Sequence, residues 1–437
     1  MAFAAIYFAV HRLDPKSKFA PALSSILLSL TLLSLGLADT AQTESYSLVL
    51  IIFAGLLMAR AGSIEKFGVD RFAVRAIFAG AFIGFATFFK TTNVIFLLPI
   101  ALEVFLLRKK QSLRPIVFLS IGFILSCLLE IGFLATQGSH GEYLRIAGSV
   151  FSNHSTEVSS FSIGDIPRAI WIYVDIWGIL SAVAIFAGLV KRDADFIRTI
   201  RYPLFALVAG IVAVIFQNKG WGYQYVVILP GLIPLIALSA VYLYQILRDK
   251  NRKWLAITVV TIVAISTIFA TPSARRRIHY ISDAIKSIND HPAYIATLGS
   301  LRSLYYPAGT EKLARYIESH SDKNDNIFIF GEEPGAYWLS DRMPASKYIY
   351  SLLFTSGVIP DKDLLAINDT IARKRPLLII IERFDTLNFR GRPETSESLV
   401  ASDPVFASMK EMLARDYAKA DTVCEKFIVY RRRTVAP

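Results

Sequence analysis

Arg75 to Lys110 reads RAIFAGAFIGFATFFKTTNVIFLLPIALEVFLLRKK. Two apolar runs, 73–89 and 92–107, are separated by a short turn headed by Lys90. Basic clusters flank the pair: Lys66 and Arg71 before it with Arg75 at its start, and Arg108, Lys109 and Lys110 after it. Runs of this kind are membrane spans, the second short enough to need tilt or local bilayer thinning. Basic loops stay on the cytoplasmic side, so the turn at Lys90 is expected to face outward.

The same alternation runs in both directions along the chain. Basic clusters recur at His11-Arg12 with Lys16 and Lys18, at Lys191-Arg192-Arg198-Arg201, and at Arg248-Lys250-Arg252-Lys253. Apolar segments lie near 1–10, 20–38, 46–60, 73–89, 92–107, 115–136, 168–189, 202–216, 225–247 and 254–272. The loops at 39–45, 90–91, 137–167 and 217–224, and everything after 272, are then expected outside. Counting sides back to the start puts Met1 outside, in a segment too short to span comfortably. The expectation is that an earlier span and its outer loop belong before it.

Composition agrees with lipid as the solvent. The chain has 437 residues, a mean hydropathy of +0.47 and 54% hydrophobic residues. Its net charge of +12 is scattered over loops, which suits orientation and anionic lipid headgroups and argues against nucleic acid as a partner. The two cysteines, Cys127 in an apolar segment and Cys424 near the C-terminus, imply neither a disulfide framework nor a thiolate metal site. No cleavable signal peptide opens the chain.

The sequence divides into a transmembrane domain, 1–272, and a connector with a soluble α/β domain, 273–437. Helical spacing at 311–320 and 363–375, the strand NIFIF at 326–330 and the buried strand PLLIIIE at 376–382 alternate as a small α/β layer does. Residues 404–415 read as helix and 422–432 as a final strand. FGEEPGAYWLSDR, 330–342, reads as a strand-to-helix turn without phosphate-loop spacing. Arg275, Arg276 and Arg277 open the connector against the charge rule if the domain is external.

Ionisable residues beside spans are costly, and here they gather at the outward ends. Asp39 and Glu44 flank ADTAQTE, Lys90 heads its turn, and Glu130 and Asp175 lie toward the same side. QNKGWGYQYVVILP, 217–230, adds Lys219, Tyr223 and Gln224, with glycines that let the backbone approach a ligand. Cations beside acids at one membrane face can hold a lipid phosphate and position a general base; snorkelling lysines and an aromatic belt would also account for them. The loop 137–167 carries His140, Glu142 and His154 as acceptor or loop candidates, without metal-ligand spacing. No metal site is assigned, and the cofactor is left unknown: a divalent metal stays open without a motif for one.

Three of these stretches resemble a family. ADTAQTES, GFATFFKTTNVIFLLP and QNKGWGYQYVVILPGLIPL look like outer-face elements of bacterial polytopic glycosyltransferases with the GT-C fold. That broad group is related to protein O-mannosyltransferases and lipid A aminoarabinose transferases. The resemblance implies about ten membrane segments with a C-terminal α/β extracytoplasmic domain. It also implies transfer of a sugar from a polyprenyl-phosphate carrier to a lipid, glycan or protein acceptor. Glu44, then Asp39, match the catalytic acid; Lys219, Tyr223, Lys90 and Gln224 match the donor-phosphate side, Gln224 standing where the family often has His. The first span and first outer loop of the family, which hold its leading acid, have no counterpart here. Two other classes remain open: a transporter or flippase of a lipid-linked or amphipathic substrate, and a non-catalytic membrane scaffold. A transporter would show broken spans and mid-membrane polar residues in paired halves; the sequence displays neither.

Overall fold

A computed structural model describes residues 1–35, 43–58, 69–108, 113–145, 148, 164–217, 222–249, 254–255, 257–258, 261, 278–279, 281–283, 285–286, 288, 290–299, 306–350, 361–385, 387–389 and 392–433. It forms two compact units, one of 1–140 and 158–282, the other of 141–157 and 283–437. The boundary expected at 272–273 lies outside the described residues.

The first unit is helical. Its elements are α1 (Ala2–Leu13), α2 (Phe19–Leu35), α3 (Thr43–Met58), α4 (Val69–Phe89), α5 (Leu97–Arg108), α6 (Leu113–Thr136), α7 (Asp165–Lys191), α8 (Ala194–Gln217) and α9 (Leu229–Asp249). Among the described residues four helices are long and apolar enough to cross a membrane: Phe72–Phe89, Leu113–Thr136, Ala194–Gln217 and Gln224–Arg248. Five more are apolar but shorter. Ten spans are therefore not what the described residues hold, and the expected segment 254–272 falls mostly outside them. The four long apolar helices make this a membrane protein.

Two segments expected as continuous helices begin differently. Thr91–Phe96 and Gly222–Ile228 are 3₁₀ turns that become α-helical at Leu97 and Leu229. Pro99 and Pro230 fall in the first turn of the α-helix that follows, where a missing N–H costs nothing.

The bundle is held by small residues. A methyl group built on Gly80 would overlap the Leu119 carbonyl, one on Gly84 the Ser126 hydroxyl, and one on Gly122 the Ile77 carbonyl. Gly80 and Gly84 on α4, and Gly122 and Ser126 on α6, are small-xxx-small pairs that let two backbones touch. These contacts lie along the facing stretches 77–84 of α4 and 119–126 of α6. Gly122→Ala should force them apart and destabilise the first unit by about 1–3 kcal/mol. Thermal unfolding in nanodiscs measures this, with Gly132→Ala as the neutral comparison, because nothing lies near Gly132 on the same helix. Equal stability of the two variants would refute the contact.

The second unit is α/β. Strands β1 (Asn326–Phe330), β2 (Met343–Pro344), β3 (Leu378–Glu382), β6 (Tyr417–Val423) and β7 (Phe427–Arg432) form a sheet in the order β2-β1-β3-β7-β6; β4 (Leu387–Phe389) and β5 (Arg392–Glu394) form a separate hairpin. β1 is parallel to β2 and β3, and β7 is antiparallel to β3 and β6. Alternation sends Ile327 and Ile329 toward Leu313 and Ile317 on one face, and Phe328 and Phe330 toward Leu364, Phe406 and Met409 on the other. Both faces of the central strands are thus buried, which is why NIFIF and LIIIE are unbroken apolar runs. The segment 422–432 is a hairpin, not one strand, and Gly335–Ser340 is the short helix expected after the turn.

Candidate functional site

Thr43 and Glu44 open α3, and Glu44 is fully buried. A lone carboxylate in an apolar bundle would be strongly penalised. Lys90 answers it: its Nζ donates to Glu44 Oε1 in a close ion pair, and Thr43 Oγ1 donates to Glu44 Oε2 at 3.0 Å. Lys90 is placed by the end of α4, where its N–H reaches Ala86 O at 3.1 Å. Its extended backbone then starts the 3₁₀ turn. The Lys90 side chain keeps 23% exposure against 1% for Glu44, so the cation is the accessible partner.

Amides lie on the elements that adjoin this pair. Asn93 Nδ2 donates to Ala86 O at 2.9 Å, and Gln217 Nε2 donates to Thr92 Oγ1 at 3.1 Å. Both amide nitrogens are committed, which turns the carbonyl oxygens the other way. Asn93 Oδ1, Gln217 Oε1 and Gln224 Oε1 are buried and without a hydrogen-bond partner among the described residues. Gln224 belongs to the turn Gly222–Ile228, which packs against both α3 and α8. Three acceptors lacking donors among the described residues are therefore carried by the turn that Lys90 heads, by α8 bonded to that turn, and by the turn packed on α3. Hydroxyl groups would supply them.

The structure thus brings Glu44 and Lys90 into direct contact and packs the turn bearing Gln224 on the helix that Glu44 opens. Asp39, Lys219 and His154 lie outside the described residues, and Tyr223 is described by its backbone alone, within the 3₁₀ turn. His140 starts a short helical stretch with an exposed side chain. Glu142 belongs to the second unit, where it pairs with Arg145 at 2.6 Å and with Lys347, while Arg145 donates to Tyr348 at 2.6 Å. Among the described residues no group of three or more His, Cys, Asp or Glu could hold a metal ion. Sequence reasoning missed Thr92, Asn93 and Gln217. The available signal was uncharged amides at span ends, which hydropathy counts only as weak polarity.

A second ion pair joins α5 and α8, with Arg201 gripping Glu103 through two hydrogen bonds of 2.8 and 2.9 Å. Its bidentate geometry fixes helix register. Unlike Glu44 with Lys90, it has no unpartnered amide among its described neighbours in sequence.

No family model matches this sequence, and no curated protein does. Among solved structures, the chain is similar to the Archaeoglobus fulgidus oligosaccharyltransferase in its apo form, at 11% identity and a TM-score of 0.44. It is equally similar to the oligosaccharyltransferase AglB of the same organism in complex with an inhibitory peptide and a dolichol-phosphate. Each match covers 87% of this chain and 57% of the other, so this chain spans little more than half the length of those proteins.

Proposed function

We propose that the protein transfers a sugar from a polyprenyl-phosphate carrier to a lipid, glycan or protein acceptor at the membrane surface. The observation that carries this reading is the buried Glu44–Lys90 pair together with three unpartnered amide oxygens on the elements that adjoin it. A lipid-linked sugar presents the matching chemistry: hydroxyl donors, one phosphate charge and an apolar tail suited to a membrane bundle.

In the resting pair Lys90 orients Glu44. Donor phosphate competes for the accessible Lys90 ammonium, with Lys219 as the second cation of the same site. Glu44, released, takes the proton of the acceptor hydroxyl. The acceptor oxygen bonds to the anomeric carbon as the carbon–oxygen bond to phosphate breaks, with inversion. The charge developing on the departing polyprenyl phosphate is met by the lysines. Tyr223 borders the phosphate, Gln224 and the other amides hold sugar hydroxyls, and Asp39 is the alternative acid. His140 is the candidate for the acceptor side. The orientation that goes with this reading has a bacterial inner membrane and an extracytoplasmic α/β domain.

The test is direct. Full-length protein in nanodiscs is incubated with radiolabelled polyprenyl-phosphate sugars and a membrane extract as acceptor. Label should move out of the donor lipid, with polyprenyl phosphate appearing in equal amount. A panel of pentose and hexose donors that all remain intact would overturn the reading.

A further inference from the structure

The second unit holds a buried charge cluster that the transfer reaction does not use. Glu332 and Glu333 follow β1, Glu382 ends β3, Asp385 comes just after it, and Lys426 precedes β7. Strands β1 and β3 are parallel neighbours, so these residues share the carboxyl edge of the sheet. That edge is where open α/β sheets receive ligands.

The cluster is almost completely enclosed. Lys426 and Glu382 are 0% exposed, Asp385 1%, Glu333 5% and Glu332 7%. Lys426 Nζ lies 2.8 Å from Glu382 Oε1, an ion pair without hydrogen-bond alignment, and donates to Glu333 Oε1 at 3.3 Å. Thr310 Oγ1 donates to Glu333 Oε2 at 2.6 Å. Asp385 accepts from the Ser396 N–H at 2.9 Å and from its hydroxyl. The Glu332 N–H donates to Glu382 Oε2 at 2.7 Å, yet Glu332's own Oε2 is buried with no partner among the described residues. Two of the four carboxyls hold the one ammonium, and the oxygen of Glu332 left without a partner belongs to the member nearest solvent.

We infer that this edge is a binding site for a ligand bearing a primary amine, its ammonium seated on the unpartnered Glu332 Oε2 at the edge shared with Asp385 and Glu382. Lys426 shows what the cluster accepts, since its own ammonium is already held by two of the carboxylates. A bare metal ion needs three or more converging ligands, and no such group exists among the described residues. An ammonium needs two or three acceptors and brings the missing charge.

Without the ligand, protons take its place. Burial, with Glu382 and Asp385 adding to it, pushes the Glu332 carboxyl up to about 8. Burial pushes Glu333 and Asp385 up to about 7, with Glu382 contributing to both. Among the described residues Tyr350 is also coupled to the cluster, and it is held protonated by burial and these carboxylates. An arriving ammonium must displace the Glu332 proton. Below that range, affinity should fall by about tenfold per pH unit.

Calorimetric titration of the full-length protein with methylamine, ethanolamine and lysine amide tests this. The latter two separate a lipid-headgroup source from a peptide source. At least one should bind saturably near pH 7.5 with proton release, weaken at lower pH, and lose about tenfold or more affinity in Glu332→Gln. Glu397→Gln, which alters only a surface pair with Arg383, should bind as wild type. Absence of saturable amine binding, an unchanged affinity in Glu332→Gln, or preferential binding of magnesium, calcium or manganese would each overturn the assignment. None of these outcomes bears on sugar transfer.

Discussion

Glu44→Gln should lower sugar transfer by about 10²–10⁴-fold, the usual worth of a general base, while donor binding stays within a few-fold of wild type. The amide keeps the size of the side chain and can still accept a hydrogen bond from Lys90, so the fold survives the change. Lys90→Met behaves differently. It leaves the fully buried Glu44 carboxylate without its cation, at a cost of about 3–5 kcal/mol. The double variant Glu44→Gln with Lys90→Met removes both charges and should recover most of that stability without recovering transfer. Unfolding in nanodiscs and single-turnover transfer, measured on all three variants, separate the two contributions. Full activity in Glu44→Gln would remove Glu44 from the mechanism. A double variant as unstable as Lys90→Met would show that the pair is not the unit of stability.

Lys426→Met should destabilise the second unit by about 3–5 kcal/mol, because Glu333 and Glu382 lose their shared buried counter-charge. The same cluster sets a pH dependence whose sign is fixed by the raised carboxyl values. A carboxyl that titrates higher in the folded state than in the unfolded chain binds more protons when folded. Stability is then greatest below about pH 4.5 as far as these groups are concerned, and it drains away as pH rises toward 7 for Glu333 and Asp385 and toward 8 for Glu332. Each such group removes up to about 1.4 kcal/mol per pH unit within its window. Glu332→Gln should flatten the upper part of the curve and raise the melting temperature at pH 8. Melting curves of the full-length protein between pH 5 and 8.5 check this. A wild-type second transition whose midpoint rises over that range would contradict the cluster's charge state.

Much of the helical unit was legible from alternation alone, because apolar length and basic flanks are properties of the chain itself. Glu44, Lys90 and Gln224 were legible for the same reason: charge or amide at a span end stands out. What hydropathy could not show was partnership. Nothing in the sequence says that Glu44 meets Lys90, 46 positions later, or that Gln217 bonds Thr92, 125 positions earlier. The 3₁₀ starts were hidden because their last residues, 94–96 and 226–228, run straight into the apolar helices they precede.

In the α/β unit the missed feature was a turn. Residues 422–432 read as one strand, yet Cys424 and Glu425 both adopt positive φ, 53° and 58°, which closes a hairpin between β6 and β7. Such turns ordinarily advertise themselves with Asn or Gly, and neither is present at those positions. Lys426, next in sequence, reads as an ordinary surface lysine for want of that turn. Glu332 and Glu333 were visible as acids in a turn, but the lysine that organises them was not.

The glycine contact between α4 and α6 has a consequence for how the candidate site is carried. Where two backbones touch, position is set by main-chain atoms, and apolar side chains on the lipid face can drift without moving either helix. Lys90 sits at the end of that rail. Amides of 77–84 and 119–126 should therefore be among the last to exchange with deuterated solvent. The lysine would inherit its aim from the slowest-opening part of the molecule, however often the surrounding lipid-facing residues change.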